Sequence, residues 1–412
     1  MGHIAIVGAG LAGLRCATLL QASGHEVDVY ERSETIGGRM ATDEVDGFLL
    51  DHGFHVMQTA YPTSKRAFDF KAMGAKAFEP GAVIVQQRKT RAKFWTLADP
   101  FRRPVQGALS GLNRFASPLD LLRVARLRFG VRRGSIERVF EGESNDTADY
   151  LAKRGFSKSM IQRFFHPLFS GIFLEDDLRT NERMFRFVFR MMSEGDMVLP
   201  VGGIASAPKQ LAQRLGNERI HLNVNVLVLD DQTLEINGKP TAFDAIVRAF
   251  NPEQANEKRH VWTLHFDAQH SPLKSNHILL NGDVRTKNGL IAHLAVPSDV
   301  QPSYAPEGRS LVTITVVGER ADALGLLDAD SIEAAVRDEV DVWFSGASKE
   351  WRLLAAQHIE HALPEVGADL NLTAGPRVTG FECGDHTLHG SVEGALLSAE
   401  TIANKVDAHL RN

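Results

Sequence analysis

The chain opens on the apolar run His3-Ile4-Ala5-Ile6-Val7, which predicts a buried strand. It stops at Gly8, a helix begins at Leu11, and a second apolar run, Val27 to Tyr30, predicts the next strand. Further along, residues 60 to 200 read as mostly helical, with strands at Ala82 to Gln87 and near Lys93 to Thr96. A helix is predicted over Ser206 to Leu215, and β-rich runs follow at Ile220 to Leu229 and Phe243 to Ala249. Asn237-Gly238 marks the turn between strands there. Residues 260 to 363 predict strands at Val261 to Phe266, His277 to Leu280, Leu290 to Val296 and Leu311 to Val317. Helices are then expected at Asp330 to Phe344 and Lys349 to Leu354. A last strand, Val378 onward, leads into a helix running to about Leu410. Strand runs followed by helices suggest a mixed sheet covered by helices.

The junction of the first strand and helix carries chemistry. Gly8-Ala9-Gly10-Leu11-Ala12-Gly13 sits between them, and Glu31 ends the second strand, eighteen residues beyond Gly13. In this pattern Gly8 permits the tight turn, Gly10 lets backbone approach a pyrophosphate, and Gly13 lets helix and strand pack closely. Phosphate then meets the free N-H groups of the helix start, and Glu31 is placed to accept hydrogen bonds from a ribose. A dinucleotide site is therefore expected.

The continuation Glu31-Arg32-Ser33-Glu34-Thr35-Ile36-Gly37-Gly38-Arg39 resembles the amino-terminal signature of the flavin amine oxidase superfamily. That group includes amine oxidases, protoporphyrinogen oxidases, and phytoene desaturases and carotenoid isomerases. The resemblance implies noncovalent FAD, with Arg32, Gly38 and Arg39 at the cofactor and the Arg39 guanidinium on its pyrophosphate. It extends to Gly380-Phe381-Glu382-Cys383-Gly384-Asp385-His386 and to the helix opening near Val392. There it implies Gly384 and Asp385 near the ribityl and phosphate, and the Val392 N-H at the flavin C2 carbonyl. A helix start at that edge stabilises negative charge building on reduced flavin. Val226 matches the residue beside the adenine, and Gly53 and Phe54 match backbone close to flavin N5 and C4=O.

The implied fold is α/β. A Rossmann-like FAD-binding domain is assembled from residues 1-60, 200-258 and 365-412, and an inserted mixed-sheet and helical substrate domain from 61-199 and 259-364. The implied activity is FAD-dependent oxidation, by hydride abstraction from a C-C or C-N bond of a lipophilic small molecule, with oxygen or a quinone as electron acceptor. Amine oxidation with peroxide release, redox-neutral isomerisation and a non-enzymatic flavin-binding role are the alternatives. Ala362 to Asp369 holds neither Tyr nor Trp, so the aromatic pair expected of an amine oxidase is missing from that stretch.

A formal charge of -5 gives no drive toward nucleic acid. Two cysteines, Cys16 and Cys383, build neither a disulfide framework nor a cysteine-rich metal site, which fits a reducing cytoplasm. The first strand opens at residue 3, leaving no room ahead of it for a leader, and no apolar run reaches membrane-spanning length. Any membrane contact is then peripheral.

Residues 101 to 140 carry nine arginines among leucines and phenylalanines. They read as a core-facing helix with a solvated arginine face, or as a surface for anionic lipid. Arg163 to Phe173, with Phe185, Phe187, Phe189, Met191 and Met192, reads as core or as an apolar pocket wall. Acid or base candidates are His55, in Asp51-His52-Gly53-Phe54-His55, and His386. Flavin oxidations often need no strong protein base, because the cofactor carries the hard step.

Overall fold

The computed structural model describes residues 1-88, 91-103, 116-141, 143-251, 259-364 and 380-411. Its organising layer is a four-stranded parallel sheet in the order Ile220–His221, Glu26–Tyr30, His3–Val7, Ala245–Arg248. Parallel neighbours need crossover connections. The helix Leu11–Ala22 makes the first, and the 189 residues between Tyr30 and Ile220 show how much chain is inserted before the third. Helices Ser206–Leu215 and Val392–Arg411 pack on Leu11–Ala22, joined by one core that includes Leu14, Leu20, Leu211, Leu396 and Ile402. A small antiparallel sheet, Val226–Val228, Thr233–Ile236 and Lys239–Ala242, meets the opposite face through Leu234, Phe243 and Ile246. Asn237 and Gly238 both have positive φ, 51° and 76°, as the two-residue hairpin turn requires.

The second layer is a seven-stranded mixed sheet ordered Arg352–Leu363, Arg259–Ala268, Ser310–Val317, His293–Ala295, Ile278–Asn281, Gly81–Arg88, Arg91–Ala98. One face packs on helix Ala329–Phe344 through Trp262, Leu264, Ile314, Val316, Ile332 and Val336. A helical cluster built on Phe165, Phe169, Phe185 and Met191 packs on Ile84 and Leu280. The aromatic and methionine run is thus core where Phe165, Phe169, Phe185 and Met191 stand.

Helix Ser206–Leu215 has the predicted limits, and the central strands differ only at their ends. Two expectations change. The helix expected at Lys349 to Leu354 is instead a single 3-10 turn, Ala347–Glu350, followed by the edge strand Arg352–Leu363. Ser345 and Gly346 at φ 56° and 86° end the preceding helix, and pairing with Arg259–Ala268 overrides the helix preference of Leu353, Leu354, Ala355 and Ala356. The β-rich run Ile220 to Leu229 is split between two sheets. The segment from Val378 to Thr379 lies outside the described residues; beyond it Glu382 makes one parallel bridge to Arg248. Among the described residues no helix is long and apolar enough to cross a membrane.

Candidate functional site

Helix Leu11–Ala22 begins at Gly10 with no side-chain cap and no acidic residue in its first turn. The N-H groups of Leu11, Ala12 and Gly13 therefore face outward at a helix start, the arrangement that receives an anion. A Cβ on Gly10 would meet no described atom within 4 Å, so the space in front of it is open. Gly13 is the opposite case: its Cβ would come within 2.0 Å of the Gly8 carbonyl oxygen. Gly8 itself has φ 108°. Gly8 thus makes the turn, Gly13 the close packing of helix on strand, and Gly10 faces open space.

Around this opening the chain brings distant residues together. Gly37 bridges to Gly10, and a Cβ on Gly38 would lie 3.6 Å from the Gly10 Cα. Glu31 is buried, with Oε2 accepting from the Ala9 N-H at 2.8 Å and Oε1 from the Ser33 N-H at 2.9 Å. A carboxylate has about four acceptor positions, so two remain for ribose hydroxyls. Arg32 is exposed just beyond it. Val226 packs beside Leu234 and Tyr30 at the rim of the parallel sheet.

Arg39 donates to Asp385 Oδ1 at 2.5 Å and to the Ala362 carbonyl at 2.9 Å. This partnership was not legible beforehand. It neutralises Asp385, which is 6% exposed and would otherwise repel a neighbouring phosphate. Gly384, at φ 153°, leaves no room for a side chain, since a Cβ would come within 2.4 Å of the His386 ring. His386 pairs with Glu382 at 2.9 Å. Helix Val392–Arg411 follows, with Ser391 Oγ accepting from the Gly394 N-H at 3.0 Å. Glu393, raised above the ordinary carboxylate range by burial, accepts from the N-H groups of Thr63 and Ser64.

The segment Asp51 to His55 forms the other wall. Gly53 has φ 85°, and its backbone is wedged between the His55 ring and Ile359. Asp51 is buried and accepts from Thr42 Oγ1 at 2.7 Å, the Ile204 N-H at 2.9 Å and Tyr304 Oη at 2.7 Å. Burial still pushes its pKa up to about 6. His265 reaches the Asp51 carbonyl at 3.2 Å and Thr313 Oγ1 at 3.1 Å. A cavity of about 10 Å³, lined by Asp51, Gly53, His55, His265, Tyr304 and Thr313, lies among them; that is space for roughly one water. Desolvation lowers His55 to about 4, helped by the Arg39 charge, and lowers His265 to about 4 as well. Both rings are neutral near pH 7. His52 instead pairs with Asp43 at the surface, 2.8 Å away.

His55 and His386 therefore occupy different walls, the first beside Gly53 and the second under the Gly384 turn. Sequence reasoning missed Tyr304 and His265. His265 had a signal, since it alternates with apolar residues on a strand whose other face is core; Tyr304 had none. A stacked pair, Tyr61 and Phe187, stands near His389, with centroids 5.6 Å apart and planes at 9°. These rings pack on one another and leave no gap between them for a substrate.

The family of flavin-containing amine oxidoreductases matches residues 11-407. The chain is 29% identical over 181 residues to a zeta-carotene desaturase of Capsicum annuum, covering 40% of this chain and 30% of that protein. It is 24% identical over 258 residues to an L-amino-acid oxidase of Notechis scutatus scutatus, covering 57% of this chain and 46% of that protein. The matches thus span less than half the length of either relative. The fold superposes on cyclohexylamine oxidase of Brevibacterium oxydans with a TM-score of 0.72 at 14% identity, over 100% of both chains.

Proposed function

The chain belongs to the flavin-containing amine oxidoreductases, a flavoprotein oxidoreductase of the same superfamily as the carotene desaturases, and from that premise we propose that it dehydrogenates a C-C or C-N bond of a lipophilic small molecule. The observation that carries the reading is the wall at Gly53 to His55: glycine backbone at positive φ, an aromatic ring at Phe54 and neutral histidines, with charge held behind it at Asp51. Bound FAD supplies the hydride acceptor. The Gly10 turn and the start of helix Leu11–Ala22 hold the pyrophosphate, and Glu31 holds the ribose. Arg39 and Asp385 would hold the ribityl and phosphate region of bound FAD, and the Val392 N-H would offer a donor to its pyrimidine edge. Val226 covers the adenine. The cofactor domain comprises residues 1-60, 200-258 and 365-412, and FAD is noncovalent, Cys383 standing before Gly384-Asp385 rather than at a match to the family's attachment site.

His55 is the better placed of the two histidine candidates, as a neutral hydrogen-bonding group beside the reacting face. The electron acceptor is oxygen or a quinone, and the protein works in the cytoplasm or at its membrane surface. Helix Pro118–Val131 supports surface contact: Leu119, Leu122 and Phe129 are 61%, 55% and 69% exposed, and share one face with Arg126. Arg128 does not belong to that face, being buried on Asp99 at 2.5 Å.

The test is an absorbance spectrum of the purified protein, then anaerobic reduction and re-oxidation. Flavin bands that return with a quinone and slowly in air support a desaturase-type dehydrogenase. Rapid return with peroxide redirects the search to amine substrates, and absence of bands on a protein reconstituted with FAD overturns the cofactor assignment.

A further inference from the structure

Three adjacent strands of the seven-stranded sheet place Thr263, Thr315 and His293 in one cross-strand row, by the register Thr263 to Thr315 and Thr315 to His293. Alternation puts all three on the face opposite Trp262, Leu264, Leu294, Ile314 and Val316, which pack into the core with helix Ala329–Phe344. The row therefore looks toward the Gly53 to His55 wall, and the ring centroids of His293 and Phe54 are 5.4 Å apart. The neighbouring row on the same face, His265 and Thr313, is internally bonded. This one is not.

Thr263, Thr315 and His293 are 0%, 2% and 3% exposed, yet Thr263 Oγ1, Thr315 Oγ1 and His293 Nδ1 have no hydrogen-bond partner among the described residues. A buried polar atom without a partner is costly, and three side by side ask for a common explanation. His293 defines its chemistry. Its ring lies on Gly171, where a Cβ would fall 1.9 Å from Nε2, and its polar contact is with the Gly171 backbone; with Nδ1 unpartnered, that contact falls to Nε2. A ring that donates Nε2-H to a carbonyl and is held neutral by burial presents a lone pair at Nδ1. Its missing partner is a donor. A threonine hydroxyl accepts and donates, so both threonines complete the same contact.

We infer that the substrate carries a hydrogen-bond donor, a hydroxyl or an N-H, that seats on the row Thr263, Thr315 and His293 while its reacting bond lies at Gly53 and Phe54. The inference rests on the flavin reading of that wall. It makes these three residues specificity determinants and excludes an unsubstituted hydrocarbon as the preferred ligand. Because strands stand about 4.8 Å apart, one compact group reaches two of the three residues, and a group with two polar atoms spans them all.

The experiment titrates FAD-loaded protein with cyclohexanol, cyclohexylamine, cyclohexanone and methylcyclohexane, reading the perturbation of flavin absorbance, alongside thermal unfolding without probe. Wild type is expected to respond to the alcohol or the amine at concentrations about tenfold lower than to the ketone or hydrocarbon, the size of one buried hydrogen bond and its lost partner. Thr315→Val and Thr263→Val should abolish that preference while raising Tm, since each removes an unpaired hydroxyl at constant shape; Thr315→Ser should keep the preference. Equal response to all four probes, or none at saturation, overturns the inference. So does a fall in Tm of the valine variants with the preference intact, which marks the hydroxyls as structural. Failure to load FAD at all is a different result and strikes the flavin reading instead.

Discussion

Arg39 and Asp385 lie 346 positions apart and meet in a 2.5 Å ion pair. The pair ties the Gly-Gly-Arg turn to the Gly-Asp turn across the mouth of the helix Leu11–Ala22, so that neither motif is complete without the other. Arg39→Ala should weaken FAD binding by about 2 kcal/mol, the scale of a charge-assisted contact. Asp385→Asn in the Arg39→Ala background should cost less than it does alone. Additive losses in fluorescence titrations with FAD would show that the two residues act independently.

Gly10→Leu should abolish FAD retention while leaving the fold intact, because the new side chain enters open space in which it meets no protein atom. Circular dichroism unchanged from wild type, with no flavin after desalting, is the expected pair of results. Gly13→Leu should do worse and fail to fold, given the 2.0 Å approach of its Cβ to the Gly8 carbonyl.

Stability should fall with acid between about pH 6.5 and pH 4. His55, His265, His293 and His389 are each lowered to about 4 by burial. In that window the unfolded chain binds their protons and the folded chain does not, so acid favours unfolding. Asp51, raised to about 6, works in the opposite sense: its folded form holds a proton that the unfolded form releases, so its contribution is present at low pH and lost as pH rises through 6. Among these five groups the four histidines outweigh Asp51 near pH 5, while Glu175, Glu339 and Glu393, also raised by burial, act in the same sense as Asp51. Urea midpoints across this range measure it, and His389→Phe should remove about one proton from the slope.

Glu393→Ala should destabilise the protein by about 1 to 2 kcal/mol, because it strips the acceptor from the start of helix Pro62–Ala67 and exposes nothing new to replace it. Denaturant unfolding reads the loss; a smaller effect for Glu393→Gln follows from the retained amide oxygen.

Sedimentation with anionic vesicles should carry the protein down at low salt, and Leu122→Glu with Phe129→Glu should release it. Both side chains are exposed, 55% and 69%, so the substitutions leave the core alone. Equal recovery of wild type and variant in the supernatant would remove the lipid contact.

The nucleotide-binding half was legible because its signals are local: a strand, three glycines with three distinct steric roles, and an acid at the end of the next strand. The second sheet was legible where strands are rich in β-branched and apolar residues, as at Ser310–Val317, whose eight residues are all buried. Arg352–Leu363 failed because its residues favour a helix and only pairing with Arg259–Ala268 makes it a strand. At the site, the backbone positions at Gly53 and Phe54 were expected from the family resemblance of their segment alone. The support beneath them was not, since Tyr304 reaches Asp51 from 253 residues away and nothing in its own neighbourhood marks it. The row Thr263, Thr315 and His293 appears only when the register of three strands is known.

The discontinuous parallel sheet sets an order of events during synthesis. His3–Val7 and Glu26–Tyr30 emerge early, but their partners Ile220–His221 and Ala245–Arg248 emerge some two hundred residues later, and Asp385 later still. Contacts so distant along the chain form slowly and leave strand edges exposed in the interim. The nascent pair His3–Val7 and Glu26–Tyr30 therefore lacks both its outer neighbours for the first half of synthesis, and cofactor capture is a late, whole-chain event.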